Sequence, residues 1–201
     1  NPVSDNNLFP YTNWGGSCTL NAGTANVVAI VQMRYVGVAA NSGAAAYEAI
    51  STSGKQGKRL VVPLVAKRLA NGFASVVTIQ NMDLNPAGTA ASVTLTYTPF
   101  FNPAECPLAV CDRNHDGQLT AADTITVGPI SVPPAASIQR NHRLPLASPS
   151  LPSAEDALPD GWQGSLVATS STANINGFVQ LTYYTPKLGD SFMAHDAFVL
   201  P

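Results

Sequence analysis

Oxygen-bearing residues recur at ligand spacing along Asp112-Arg113-Asn114-His115-Asp116-Gly117-Gln118-Leu119-Thr120-Ala121-Ala122-Asp123. Positions 1, 3 and 5 of this stretch are Asp112, Asn114 and Asp116; positions 7, 9 and 12 are Gln118, Thr120 and Asp123. The spacing turns the first three side chains toward one centre. Gln118 adds a backbone carbonyl, and Thr120 adds an oxygen directly or through water. Gly117, at position 6, permits the sharp turn that gathers them. A hard divalent cation suits such a donor set, and calcium is the expected ion, held by Asp112, Asn114, Asp116, Gln118, Thr120 and Asp123. His115, at position 4, is expected to point away. The competing expectation is an Asx-rich turn that binds nothing, since Asp, Asn and Gly dominate turns in any case. Three carboxylates and a short final ligand point to a structural site rather than a sensing one, of the weak affinity that suits extracellular calcium.

Strand-like runs flank this stretch. Ala91–Thr98 alternates apolar and polar residues, and Thr124–Val132 follows the loop, so the loop reads as an insertion in a long hairpin. Cys106 and Cys111 close around Pro107 just upstream and are expected to form a disulfide that clamps the loop's entrance. Cys18 would then be a buried small apolar residue; the alternative is Cys18 bridged to one of the other two. Further strands are expected at Cys18–Asn21, Asn26–Val38, Ala44–Ser51, Leu60–Ala66 (with an edge or bulge at Pro63), Phe73–Gln80, Ala135–Arg140, Gly164–Ser170, Ile175–Tyr184 and Phe192–Leu200. Asn71-Gly72 marks a turn, and the proline-rich run Leu144–Gly161 reads as a long surface connection. Many short strands separated by Gly, Pro and Asn turns give an all-β fold, an antiparallel β-sandwich with a calcium-loop insertion in a hairpin.

The chain also repeats itself. Trp14, Gly16 and Ser17 recur as Trp162, Gly164 and Ser165, and Thr24-Ala25-Asn26 recurs as Thr172-Ala173-Asn174. Val31, Gln32 and Tyr35 recur as Val179, Gln180 and Tyr183, and Ala46 and Ala49 as Ala194 and Ala197, every pair 148 residues apart (162 − 14). The segment between the copies occurs once. Residues 1–53 therefore read as a half-module, and residues 54–201 as a whole β-sandwich module with the calcium loop at 112–123. A half-module cannot bury its apolar face alone. It packs either on its own module or on a neighbouring copy of the chain, and strand addition of the second kind yields a head-to-tail homopolymer.

Charged residues are 11% of the chain, against about 25% in an average domain. The net charge is −2, so there is no basic field for nucleic acid or an acidic membrane surface. No apolar run reaches the length of a membrane helix. The chain opens at Asn1-Pro2 without Met, which reads as a processed N-terminus of a secreted protein. Catalytic signatures are weak. His195 lies beside Asp196, but no Gly-x-Ser-x-Gly motif accompanies it, and it replaces Tyr47 of the first copy, which favours strand packing. His142 sits between Arg140 and Arg143 in a strip that reads as a solvated basic face. Trp14 and Trp162 read as core plugs or turn anchors, with sugar-stacking platforms as the alternative.

The loop with Asp at its twelfth position resembles dockerin-type calcium loops of the EF-hand kind, although here it occurs once and Thr124-Ile125-Thr126-Val127 follows it. The order VPLVAK, FASVVTIQNMD, AASVTLTY, ISVPPAAS, LPDGWQGSLVATSS, INGFVQLTY and DSFMAHDAF resembles β-sandwich modules that recur in tandem in secreted and surface proteins of bacteria. That resemblance implies an extracellular structural or adhesive role. The expectation is a non-enzymatic, secreted, calcium-stabilised subunit that assembles with copies of itself into a filament or surface layer. A carbohydrate-binding or adhesin module with glycan partners is the alternative.

Overall fold

A computed structural model describes residues 18, 20, 23, 29–35, 43–48, 56–145, 158–184 and 192–200. In chain order the strands are β1 (Ile30–Tyr35), β2 (Gly43–Glu48), β3 (Arg59–Ala66), β4 (Phe73–Asn81), β5 (Ala91–Pro99), β6 (Ile125–Val132), β7 (Ser137–Asn141), β8 (Gln163–Ser170), β9 (Ile175–Tyr183), β10 (Phe192–Asp196) and β11 (Phe198–Val199). A short helix, α1 (Leu108–Cys111), and a 3-10 turn at Ala121–Asp123 complete the elements. Among the described residues no helix is long and apolar enough to cross a membrane.

Two antiparallel sheets form the sandwich, one in the order β10-β9-β4-β7 and the other β11-β3-β8-β5-β6. Alternation along the strands dictates this. On β5, Ala91, Val93, Leu95 and Tyr97 are buried while the intervening Ser and Thr residues are half-buried, so the strand feeds one face to the core and leaves β-branched polar residues on the other. The two inner faces meet in a single cluster that includes Leu60, Val77, Ile79, Leu95, Tyr97, Trp162, Leu166, Ile175 and Val179. Each fully buried aliphatic side chain of this kind stabilises the fold by about 1.5–3 kcal/mol. The expected bulge at Pro63 is present: the β3–β8 register shifts between Val62 and Val65. The expected final strand divides at buried Ala197, where β10 leaves the first sheet and β11 joins the second.

The sequence repeat is a structural repeat. In β1–β2, Ile30 lies opposite Glu48, Val31 opposite Tyr47 and Gln32 opposite Ala46. In β9–β10, Phe178 lies opposite Asp196, Val179 opposite His195 and Gln180 opposite Ala194. Position for position the two hairpins share one register. β2 lies alongside β10 with Cα atoms within 8 Å, although no ladder bonds join them. β2 of the first copy thus packs alongside β10, its equivalent strand in the second.

Several expectations are corrected. Cys18 is exposed, not buried, and Cys18 and Leu20 carry no strand; the rest of Cys18–Asn21 lies outside the described residues, as do Trp14, residues 26–28 and 36–38 of the expected strand 26–38, residues 49–51 of the expected strand 44–51 and residues 53–55 of the boundary linker. The basic strip is not a solvated face. His142 is wholly buried and Arg140 nearly so, and only Arg143 is exposed. β7 turns alternate residues inward, so charge in the sequence did not reveal the parity. The surface connection 144–161 is interrupted by Leu158, which is fully buried in the core.

Candidate calcium site

The loop hangs from the β5–β6 hairpin, where Tyr97 pairs with Ile125. Three devices hold it. The first is the Cys106–Cys111 disulfide, whose two cysteines are fully buried. Cys106 Sγ also accepts a hydrogen bond from Gln163 N–H of β8 at 3.2 Å. The second is buried Leu119, which ties the middle of the loop to the sandwich core. The third is the capping box at Thr120, where the Ala122 N–H donates to Thr120 Oγ1 at 3.2 Å and the Thr120 N–H to Asp123 Oδ2 at 2.8 Å. This is the reciprocal closure that starts a helix, and here it starts a 3-10 turn.

Every predicted side-chain ligand points its oxygen back into the loop. Asp112 accepts the Asp116 N–H (3.2 Å) on Oδ1 and the Gly117 N–H (2.8 Å) on Oδ2. Asn114 Oδ1 accepts the Asp116 N–H at 3.1 Å, and Asp116 Oδ1 accepts the Gln118 N–H at 2.8 Å. Asn114 Nδ2 donates to Asp116 Oδ2 at 2.8 Å. Asp123 closes the ring from the far end, accepting the Arg113 N–H at 2.8 Å and the Asn114 N–H at 3.4 Å on Oδ1. Gly117 takes φ = +81°, the left-handed turn for which glycine was expected at position 6, and His115 at φ = +58° is exposed.

Asp112 and Asp123 are buried, whereas Asn114, Asp116 and Gln118 are exposed. The Asp123 carboxyl is held below its ordinary pKa, first by the Thr120 N–H, with those of Arg113 and Asn114 adding to it. Burial pushes the other way and loses, because the N–H groups of Thr120, Arg113 and Asn114 all converge on the carboxylate. Among the described residues no three side chains of His, Cys, Asp or Glu gather into a metal-holding group. Asp112, Asp116 and Asp123 thus share one loop without converging on a point. Each oxygen of Asp112 and Asp116 accepts one donor and keeps a further lone pair, whereas Asp123 Oδ1 already accepts two N–H groups.

Other candidate groups fall away from chemistry. Trp162, fully buried, packs edge-on to Tyr97 at 5.9 Å between ring centroids, so it is a core plug and no sugar platform. His195 is half-buried in β10 opposite Val179. One pair that the sequence did not signal is Ser75 Oγ and His142 Nδ1, 3.2 Å apart. Both residues are fully buried, and Ser75 Oγ also bonds the Ala66 N–H (3.1 Å) and carbonyl (3.2 Å), so the group knots β4 to β3 where no substrate reaches.

Comparison with protein-family models, with curated proteins and with solved structures gives no match to this chain.

Proposed function

We propose that this chain is an extracellular structural protein: a β-sandwich module, stapled by calcium at Asp112, Asn114, Asp116, Gln118, Thr120 and Asp123, that joins like modules head to tail into a filament or surface layer through its N-terminal half-module. The observation that carries this is the second hairpin, β1–β2, built in the register of β9–β10 and packed with β2 alongside β10. A module that carries part of another module is a unit of a series, and a heterologous contact that does not close produces a filament. The buried disulfide supports an oxidising compartment. The loop supports calcium through its donor order, its left-handed Gly117 and its disulfide-clamped entrance. Its role is to hold the long β5–β6 insertion rigid, and the reading assigns the chain no catalysis.

Negative-stain imaging of the protein isolated from its native source, with and without a calcium chelator, tests the reading. Filaments or sheets are expected in calcium, with fraying on chelation. Monodisperse monomers in both conditions would overturn it.

A further inference from the structure

The sandwich is closed without β1 and β2. Every strand from β3 to β11 finds its ladder partners within the two sheets, and among the described residues none pairs with β1 or β2. The module starts from a firm anchor at Gly57. Its N–H donates to the Ile175 carbonyl at 3.1 Å, and its carbonyl accepts the Ile175 N–H at 2.8 Å. A Cβ on Gly57 would stand 2.7 Å from Val199 Cγ1, so the chain is pressed against β11 there. Ahead of this anchor, the main contact of the β1–β2 hairpin with the module is β2 alongside β10.

That contact is shallow on both sides. Of the hairpin's described side chains, Ile30, Gln32, Ala44 and Ala46 are exposed, Val31 and Ala45 are half-buried, and none is buried. On β10, Met193 is 53% exposed, and Ala194, His195 and Asp196 are half-buried. β2 and β10 each end their sheet, so among the described residues each keeps one open edge, and no ladder bond joins them. Half-buried side chains without ladder bonds hold such a contact by little free energy.

We infer that the β1–β2 hairpin is an exchangeable arm, which lies on β10 of its own chain in the monomer and on β10 of a second copy in the assembly. This rests on the assembly reading above and names the surface that receives the arm. The same two surfaces meet in both states, so exchange needs no contact that the closed chain lacks. A chain that lends its arm forward and receives another on its own β10 propagates head to tail. The reach suffices. Eight residues, AISTSGKQ, join Glu48 to Gly57. Eight residues extend to about 26–29 Å, about the length of an eight-residue strand such as β8. Local concentration decides between the two states. A connection this short holds the arm at about millimolar concentration over its own β10, so the dilute chain is closed and exchange takes over where chains crowd to comparable levels.

The test spoils the two surfaces in separate chains. One variant carries Met193→Glu and Ala194→Glu, which put a charge on each face of β10; the other carries Ala45→Glu and Ala46→Glu, which do the same on β2. Analytical ultracentrifugation reads the wild type, each variant and their equimolar mixture at about 1 mM. The wild type is expected to form a series of oligomers, and each variant alone to stay monomeric. The mixture is expected to give heterodimers and nothing larger, because one chain supplies an intact arm and the other an intact β10. A mixture that stays monomeric, or a variant that assembles alone as the wild type does, would overturn the exchange. A second measurement leaves both surfaces intact, in case glutamate disturbs β10. Deleting residues 51–54 halves the reach and is expected to raise the oligomer fraction of the dilute chain roughly tenfold; an unchanged fraction would also overturn the exchange. Should these fail while filaments form in protein from the native source, the exchange is lost and the assembly reading survives.

Discussion

Removing calcium is the perturbation whose size follows most directly from the loop. Only three of the proposed donors are carboxylates, and Asp123 is one methylene shorter in reach than the Glu that closes tight sites, which places affinity in the range of extracellular modules, about 0.1–1 mM. An ion that binds only the folded state at about 10 mM then adds roughly 1.4–2.7 kcal/mol. For a chain of this size that is a rise in Tm of about 3–11 °C. The assay is thermal unfolding by circular dichroism in calcium, in chelator and in magnesium. Asp116→Ala is the informative variant: Asp116 is exposed and bonds only its loop neighbours, so its loss changes the Tm in chelator by a degree or two at most, while removing most of the calcium increment. If Tm in calcium and in chelator coincide, or if Asp116→Ala keeps the full increment, the loop is an Asx-rich turn and the calcium argument fails.

Matched substitutions in the two hairpins are expected to differ: Val179→Ala costs about 2–3 kcal/mol in urea unfolding, from two lost methyls and an uncollapsed cavity. Val31→Ala, at the half-buried counterpart, costs less than about 1 kcal/mol. Equal costs would show that the half-module is already covered. Replacing Cys106 and Cys111 together by Ala is expected to cost about 2 kcal/mol by the loop-entropy relation and to weaken calcium binding measured by calorimetry; unchanged affinity would remove the clamp role. In chelator, Asp123 makes stability depend on acid. Its folded pKa lies below the unfolded one, so its contribution is complete above about pH 4 and is lost as pH falls through the folded value. Asp123→Asn should flatten that part of the pH–stability curve, and an unchanged curve would refute the carboxylate's anchoring role.

Strand positions were legible because β-branched alternation and turn residues act locally. β3, β4, β5, β8 and β9 fall within a residue or so of the sequence expectation, and the Pro63 bulge follows from the missing N–H. The loop's turn was legible for the same reason: only glycine sits easily at the φ of Gly117. Burial of charge was not legible. Arg140 on β7 and His142 just after it are buried between the more exposed Gln139, Asn141 and Arg143, and which parity faces the core is set by the β4–β7 register, a long-range property. The Ser75–His142 contact spans 67 residues and has no sequence signal. Cys18 misled because burial is set by long-range packing, as at its counterpart Leu166, which lies in β8 between β3 and β5.

Cys18 also offers the most direct test of the joint. With Cys106 and Cys111 paired, it is the chain's sole thiol. It stands at the position of Leu166, which is fully buried in the complete module. Thiol labelling of the native assembly, before and after dissociation, reads whether a neighbouring subunit covers it. The account predicts protection in the assembly and full labelling of the dissociated chain; equal labelling in both would contradict it.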